Sequence, residues 1–186
     1  MTTIVDRIEA AIATTGTVVS DLGPALDAPS LCPGWTLRDE LNHLVGGMRV
    51  FAAELSGTDA GGEHESDWLG HEPAAAYAAA ATLDGEAWRR PDALSGTVRL
   101  GFGAMPAQMA ALIHLTELVV HGADLAVSTG RTDRLDAEQC AYLLATMREM
   151  GMEAFRRPGM FGAELPCPED APAHERLLAF LGREVA

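Results

Sequence analysis

The sequence predicts an all-α protein: an antiparallel bundle of four long helices, with additional short helices toward the C-terminal end. Three observations predict it. Apolar residues recur at three- and four-residue steps through four long segments, capping residues and glycines punctuate those segments, and strand-like alternation is nearly absent. No internal repeat and no second domain is evident, so residues 1–186 read as one domain.

From Thr3 to Leu22, apolar Ile4, Ile8, Ala11, Ile12, Val18, Val19 and Leu22 recur with Thr15 at helical spacing, and Gly23 and Pro24 stop the helix they predict. Pro29 to Trp35 reads as a loop that delivers Thr36 as an N-cap, with Asp39 three residues on as a capping-box variant. A second helix runs from about Thr36 to Leu55 on a seam of Leu37, Leu41, Leu44, Met48, Phe51 and Leu55, and Gly57 ends it. Residues 58–72, rich in Gly, Asp, Glu and His, read as an exposed loop. Pro73 opens an Ala-rich third helix to about Trp88. Pro91 to Met105, with Gly96, Gly101 and Gly103, fits irregular chain holding one short strand. The fourth helix, Pro106 to Thr129, is the most apolar and ends at Gly130. Asp136 caps a fifth helix to about Met150, a Pro- and Gly-rich loop covers 157–172, and Ala173 to Leu181 forms a last short helix before Gly182.

Hydrophobic residues make up 48% and charged residues 22%, the proportions of a globular chain rather than a disordered one. Acidic residues outnumber basic ones 27 to 13. The formal charge of -14 repels nucleic-acid phosphates and anionic lipid headgroups, so neither nucleic acid nor a membrane is an expected partner. Every basic residue is Arg, which removes Schiff-base chemistry, the P-loop and any lysine general base. Cys32, Cys140 and Cys167 are odd in number, widely spaced and without a C-x-x-C pattern, which fits reduced thiols in a cytoplasm. Met1 to Ala13 carries Asp6, Arg7 and Glu9 and is no signal-peptide core, and no apolar run reaches the ~18 residues of a membrane span. A cytoplasmic protein is expected.

On the fourth helix His114, Glu117, His121 and Asp124 follow at steps of three, four and three, which stacks them in one narrow polar stripe. Apolar Ile113, Leu115, Leu118, Val119, Val120 and Leu125 flank it on both sides, so the stripe is not an ordinary wet face. A carboxylate in such a place pairs with a cation, takes a proton or binds a metal. Glu117 and His121, at i and i+4, can chelate one ion from a single helix face, and the third ligand must then come from a neighbouring helix. His43 is the leading candidate. Gly46 and Gly47, one turn beyond it, cost roughly 1 kcal/mol each against Ala in a helix interior and admit either a close approach or a plain packing contact. His114 and Asp124 stand where they can orient an imidazole, and His114 is also a candidate fourth ligand. His64 and His71 read as solvated loop residues, Cys32 as a packed loop thiol with no His placed near it by sequence, and Trp35 as a hydrophobic anchor at the start of the second helix.

Cys32-Pro-Gly-Trp-Thr-Leu-Arg-Asp-Glu-Leu-Asn-His-Leu-Val-Gly-Gly and the stretch Glu-Leu-Val-Val-His-Gly-Ala-Asp-Leu-Ala at 117–126 resemble the mycothiol-dependent maleylpyruvate isomerase and DinB-like superfamily. Phe161-Gly-Ala-Glu-Leu-Pro through Leu177-Leu-Ala-Phe-Leu-Gly-Arg is similar to an uncharacterised actinobacterial branch of it. The resemblance implies a DinB-type four-helix bundle, His43, Glu117 and His121 as ligands of a divalent metal, zinc ahead of nickel or iron, mycothiol as cosubstrate, and a homodimer. In two respects the chain departs from the family: Ala123 stands where its HxWD pattern has Trp, and the isomerases carry a further C-terminal domain for which this sequence leaves no room.

Two imidazoles and one carboxylate leave a metal ion open to water or substrate. The expected activity is thiol transfer or isomerisation at such an ion, on a small-molecule thiol and an electrophile. The alternatives are a non-catalytic metal-bound ligand-binding or stress-response protein, and a bundle whose Glu117 and His121 form a hydrogen-bonded pair without an ion.

Overall fold

A computed structural model describes residues 2–101, 103–157 and 160–185. The protein is mostly helical, with a small two-stranded sheet. The helices are α1 (Ile4–Val19), α2 (Leu37–Ser56), α3 (Pro73–Trp88), α4 (Ala107–Ser128), α5 (Ala137–Met150) and α6 (Ala173–Phe180), and the strands are β1 (Thr97–Leu100) and β2 (Gly103–Pro106).

Capping sets the helix starts where the sequence puts them. Thr3 and Thr36 each form a reciprocal capping box, with Asp6 and Asp39, and the Asp136 carboxylate accepts from the backbone of Glu138 and Gln139. Gly57, in a left-handed conformation, closes α2. Helix α1 packs on α3 and α4, and α2 packs on the same two helices, so the four long helices close a ring around one core. The α2 seam of Leu37, Leu41, Leu44, Met48 and Phe51 is buried there as its spacing predicts. Helices α5 and α6 pack on each other and both lean on α4.

Helix α4 contains an 18-residue window with mean hydropathy 1.4, long and apolar enough by composition to cross a membrane, yet 72% of that window is buried inside the protein. It is the central helix, enclosed by its neighbours. Gly122 lets α1 approach it: a Cβ there would strike the hydroxyl of Thr15, which donates to the Leu118 carbonyl at 3.2 Å. Gly122→Ala is therefore expected to lower unfolding free energy by about 1–3 kcal/mol in urea titrations, despite the better helix propensity of Ala, and Thr15→Ala in the same chain to restore part of the loss.

The expectation of an all-α chain with one short strand is corrected by the hairpin. Strands β1 and β2 pair antiparallel with Leu100 opposite Gly103, and Val98 turns its side chain into the core while Thr97 and Arg99 face out. Four-residue strands give too few alternations to be read against a glycine-rich background. The loop expected over 157–172 is irregular where described; residues 158 and 159 lie outside the described residues.

The segment 58–72 is not a free loop. The Asn42 amide donates to the Ser66 carbonyl and accepts from the Trp68 backbone, each at 2.9 Å, and the Arg49 guanidinium lies over the Trp68 ring. This is the use of Gly46 on α2, whereas a Cβ on Gly47 would make only an ordinary contact with the His64 ring. A Cβ on Gly46 would collide with the His64 carbonyl and the Trp68 indole, so the residue makes room for the loop rather than for another helix.

Candidate metal centre

The α2–α4 contact brings together the residues that the sequence singles out. His43 Nε2 lies 2.9 Å from Glu117 Oε2, and His121 Nε2 lies 3.2 Å from the same oxygen. Three side chains from two helices converge on one point, as required. Burial acts to raise the Glu117 carboxyl, but the imidazoles of His121 and His43 outweigh it and hold the group well below the usual carboxylate range. For His121 burial works downward, and the carboxylates of Asp124, Glu117 and Glu40 overcome it, lifting the imidazole well above its ordinary value.

The second layer differs from expectation. His121 Nδ1 is held by Glu40 Oε1 at 2.7 Å, whereas Asp124 Oδ2 stands back at 3.6 Å. Asp124 instead receives the Arg183 guanidinium nitrogen Nε on both its oxygens, at 2.9 and 2.8 Å. Glu40 is anchored in turn by the Ser30 hydroxyl at 2.6 Å, and Ser30 accepts from the Cys32 backbone. Burial pushes the Glu40 carboxyl up in spite of His121. Sequence reasoning missed both Glu40 and Arg183. Glu40 carried a faint signal, an acid one turn before His43 at the edge of the apolar seam; Arg183, beyond the last helix, carried none.

His114 does not group with the His43, Glu117 and His121 donors. It is 1% exposed and bound through Nε2 to Asp84 Oδ2 at 2.6 Å, a partner on α3 that the sequence did not suggest. His64 is likewise corrected: its ring is half-buried, 4.5 Å from the His43 ring, with Nε2 3.1 Å from the His43 carbonyl. His71 is exposed as expected. Trp35 does more than start a helix, since its ring stacks at 5.9 Å on His121 and lies 5.0 Å from His43. The turn Cys32-Pro33-Gly34-Trp35 places it: Trp35 donates to the Cys32 carbonyl, and Gly34 takes a φ of 83°, which the third position of a type II turn demands. The same turn sets Cys32 close to His121, Glu40 and Asp124, although burial raises the thiol pKa and keeps it protonated. Ala123 is fully buried and does not widen the cavity described below.

Two other groupings share residues with this centre, and each is weaker. In the grouping of Cys32, Glu40, His121 and Asp124, the Arg183 guanidinium already supplies a cation to Asp124 and lies 3.9 Å from the Cys32 sulfur. The grouping of His43, His64 and Glu65 draws on a carboxylate whose side chain is 75% exposed. The His43, Glu117 and His121 donors suit a metal: on a tetrahedral ion such atoms lie roughly 3.3 Å apart, close to the two separations above. Charge agrees. Arg183 pairs with Asp124, while Glu117 and Glu40 have only the imidazoles of His43 and His121 as ion-pair partners among the described residues, a setting that suits imidazole protons or a divalent ion.

The N-terminal domain pattern of mycothiol maleylpyruvate isomerase matches residues 7–126. The chain belongs to that family. Two uncharacterised proteins, one from each of two strains of Mycobacterium tuberculosis, are 35% identical to it over 161 residues, covering 86% of this chain and 86% of each relative. No solved structure is a significant match. The family match takes in all of the centre except Arg183, and so encloses His43, Glu117, His121, Glu40 and Trp35.

Beside the centre lies a cavity of about 270 Å³, with His43 and Glu117 in its wall and Leu44, Met48, Phe51 and Ile113 making it chiefly apolar. Leu100 and Gly101 of the hairpin close it on one side.

Proposed function

We propose that the protein is a divalent-metal enzyme, a mycothiol-dependent transferase or isomerase that joins or rearranges a small electrophile through a low-molecular-weight thiol. In this reading α1 to α4 are the DinB-like antiparallel four-helix bundle, and His43, Glu117 and His121 hold the ion. Zinc is the first choice; nickel and iron also accept imidazole and carboxylate. The observation that carries the reading is that two imidazoles from different helices meet one carboxylate oxygen at the wall of an apolar cavity. An ion bound there lowers the pKa of a coordinated thiol or water and polarises a carbonyl oxygen.

The chain supplies the rest. Glu40 holds His121 through Nδ1 and so directs Nε2 to the centre. Trp35 fixes both imidazole planes by packing on them. The apolar side chains of the cavity keep water away from the reacting groups. Glu40→Gln is expected to weaken metal affinity by about 10–100-fold, measured by competition with a chromogenic chelator.

The net charge of -14 supports small-molecule partners over nucleic acid or a membrane surface, and the reading places the protein in the cytoplasm as a homodimer. The test adds mycothiol and then an electrophile such as maleylpyruvate to metal-loaded protein. Saturable thiol binding followed by consumption of the electrophile supports the proposal; binding without consumption overturns the catalytic part and leaves a ligand-binding protein.

A further inference from the structure

Gly47 is a helix-interior glycine without a packing reason. Its neighbour Gly46 makes way for the His64 carbonyl and the Trp68 indole, but a Cβ on Gly47 would meet only His64 Nε2, at 3.6 Å. Alanine would fit there, and alanine is the better helix former. What glycine provides instead is space. Gly47 stands one helical turn after His43 on α2 and lines the cavity of about 270 Å³ beside the candidate metal centre.

The charge around that cavity is one-sided. Its wall is made by Leu44, Met48, Val50, Phe51, Leu100 and Ile113 together with three histidines, and Glu117 is its one acid. Among the described residues no arginine lines it: Arg49, two residues beyond Gly47, lies over the Trp68 ring, Arg99 is exposed on β1, and Arg183 is taken up by Asp124. An anionic group in this setting would give up its water without gaining a counter-ion from the protein, which is costly. A metal ion at the centre can neutralise one carboxylate. A second carboxylate on the same molecule would still face apolar side chains and Glu117.

We propose that the cavity receives the uncharged, chiefly apolar part of the electrophile, and that Gly47 sets the size of group it admits. The inference rests on the reading above and deepens it by naming the substrate class: an uncharged electrophile with a compact hydrocarbon or aromatic group. A dicarboxylate such as maleylpyruvate is then a slow member of the class that the centre can use. The cavity has the room, since an apolar cavity on the order of 150 Å³ already takes up benzene.

The test titrates para-fluorotoluene and para-fluorobenzoate, which differ mainly in charge, into the full chain by fluorine NMR, once loaded with zinc and once stripped with chelator. In stripped protein para-fluorotoluene is expected to bind at least about tenfold more tightly than para-fluorobenzoate. Gly47→Leu is expected to keep its helicity and the zinc content of the wild-type chain while its affinity for para-fluorotoluene falls by about tenfold or more, with Gly47→Ala in between. A lost packing contact does not mimic this result, because the substitution adds atoms and raises helix propensity. In wild-type protein, methyl NMR should show para-fluorotoluene moving the Leu44, Met48 and Ile113 signals, and that measurement decides the matter if Gly47→Leu does not fold. Equal binding of the two probes to stripped protein overturns the uncharged class. Undiminished para-fluorotoluene binding in Gly47→Leu, or methyl signals indifferent to the probe, overturns Gly47 and the cavity as its seat. Because the preference is read without metal, failure of the reading above shows separately, as zinc-treated protein that holds no ion.

Discussion

His43→Ala is expected to yield folded protein without bound divalent metal, and His121→Ala the same. Elemental analysis of untagged protein should fall from about one equivalent of metal to under about a tenth, because each variant leaves one imidazole and one carboxylate, two protein donors where an open site needs three. His43 is the cleaner substitution. Its ring touches the centre through Nε2 alone and is half-buried, so its loss leaves the bundle packed. His121 also balances Glu40 and faces Asp124, and its removal strands buried carboxylates. Circular dichroism should show native helicity in His43→Ala. Full metal stoichiometry in either variant would mean that other residues are the ligands.

The second large effect concerns stability. Arg183 and Asp124, 7% and 0% exposed, form an ion pair in which one Nε–H is shared between both carboxylate oxygens, and it ties the chain after α6 to the central helix. Arg183→Leu leaves Asp124 as a buried charge without its cation and is expected to cost about 3–5 kcal/mol in urea unfolding. Adding Asp124→Leu should recover most of that loss, since the uncompensated charge, rather than the missing attraction, causes the damage. A loss below about 1 kcal/mol for the single variant would show that the pair is solvated in solution.

The sequence made the helices legible because their signals are local. Thr36 with Asp39, Pro73, Asp136 and Gly57 act within one helical turn, and each stands where a cap or stop was read. The pairing of His43 with Glu117 was legible for another reason: apolar flanks made their helix faces inward-looking, and the resemblance linked the two helices. What escaped reading is pairing across distance without a local pattern. Asp84 sits in an Ala-rich helix whose period says nothing of an acid needed opposite His114, and Arg183 lies 59 residues beyond the carboxylate it neutralises. The loop holding His64 looked exposed by composition, and only the Asn42 clamp and the Gly46 gap explain why it lies down on α2.

The hairpin has a different significance from the helices. Helices α2 and α4 carry every donor of the centre, while Leu100 and Gly101 line the cavity and supply no donor. One side of the cavity wall is thus on a piece of chain separate from the donors. A graft that exchanges only these few hairpin residues can retune which molecules are admitted, with the chemistry underneath left as it was.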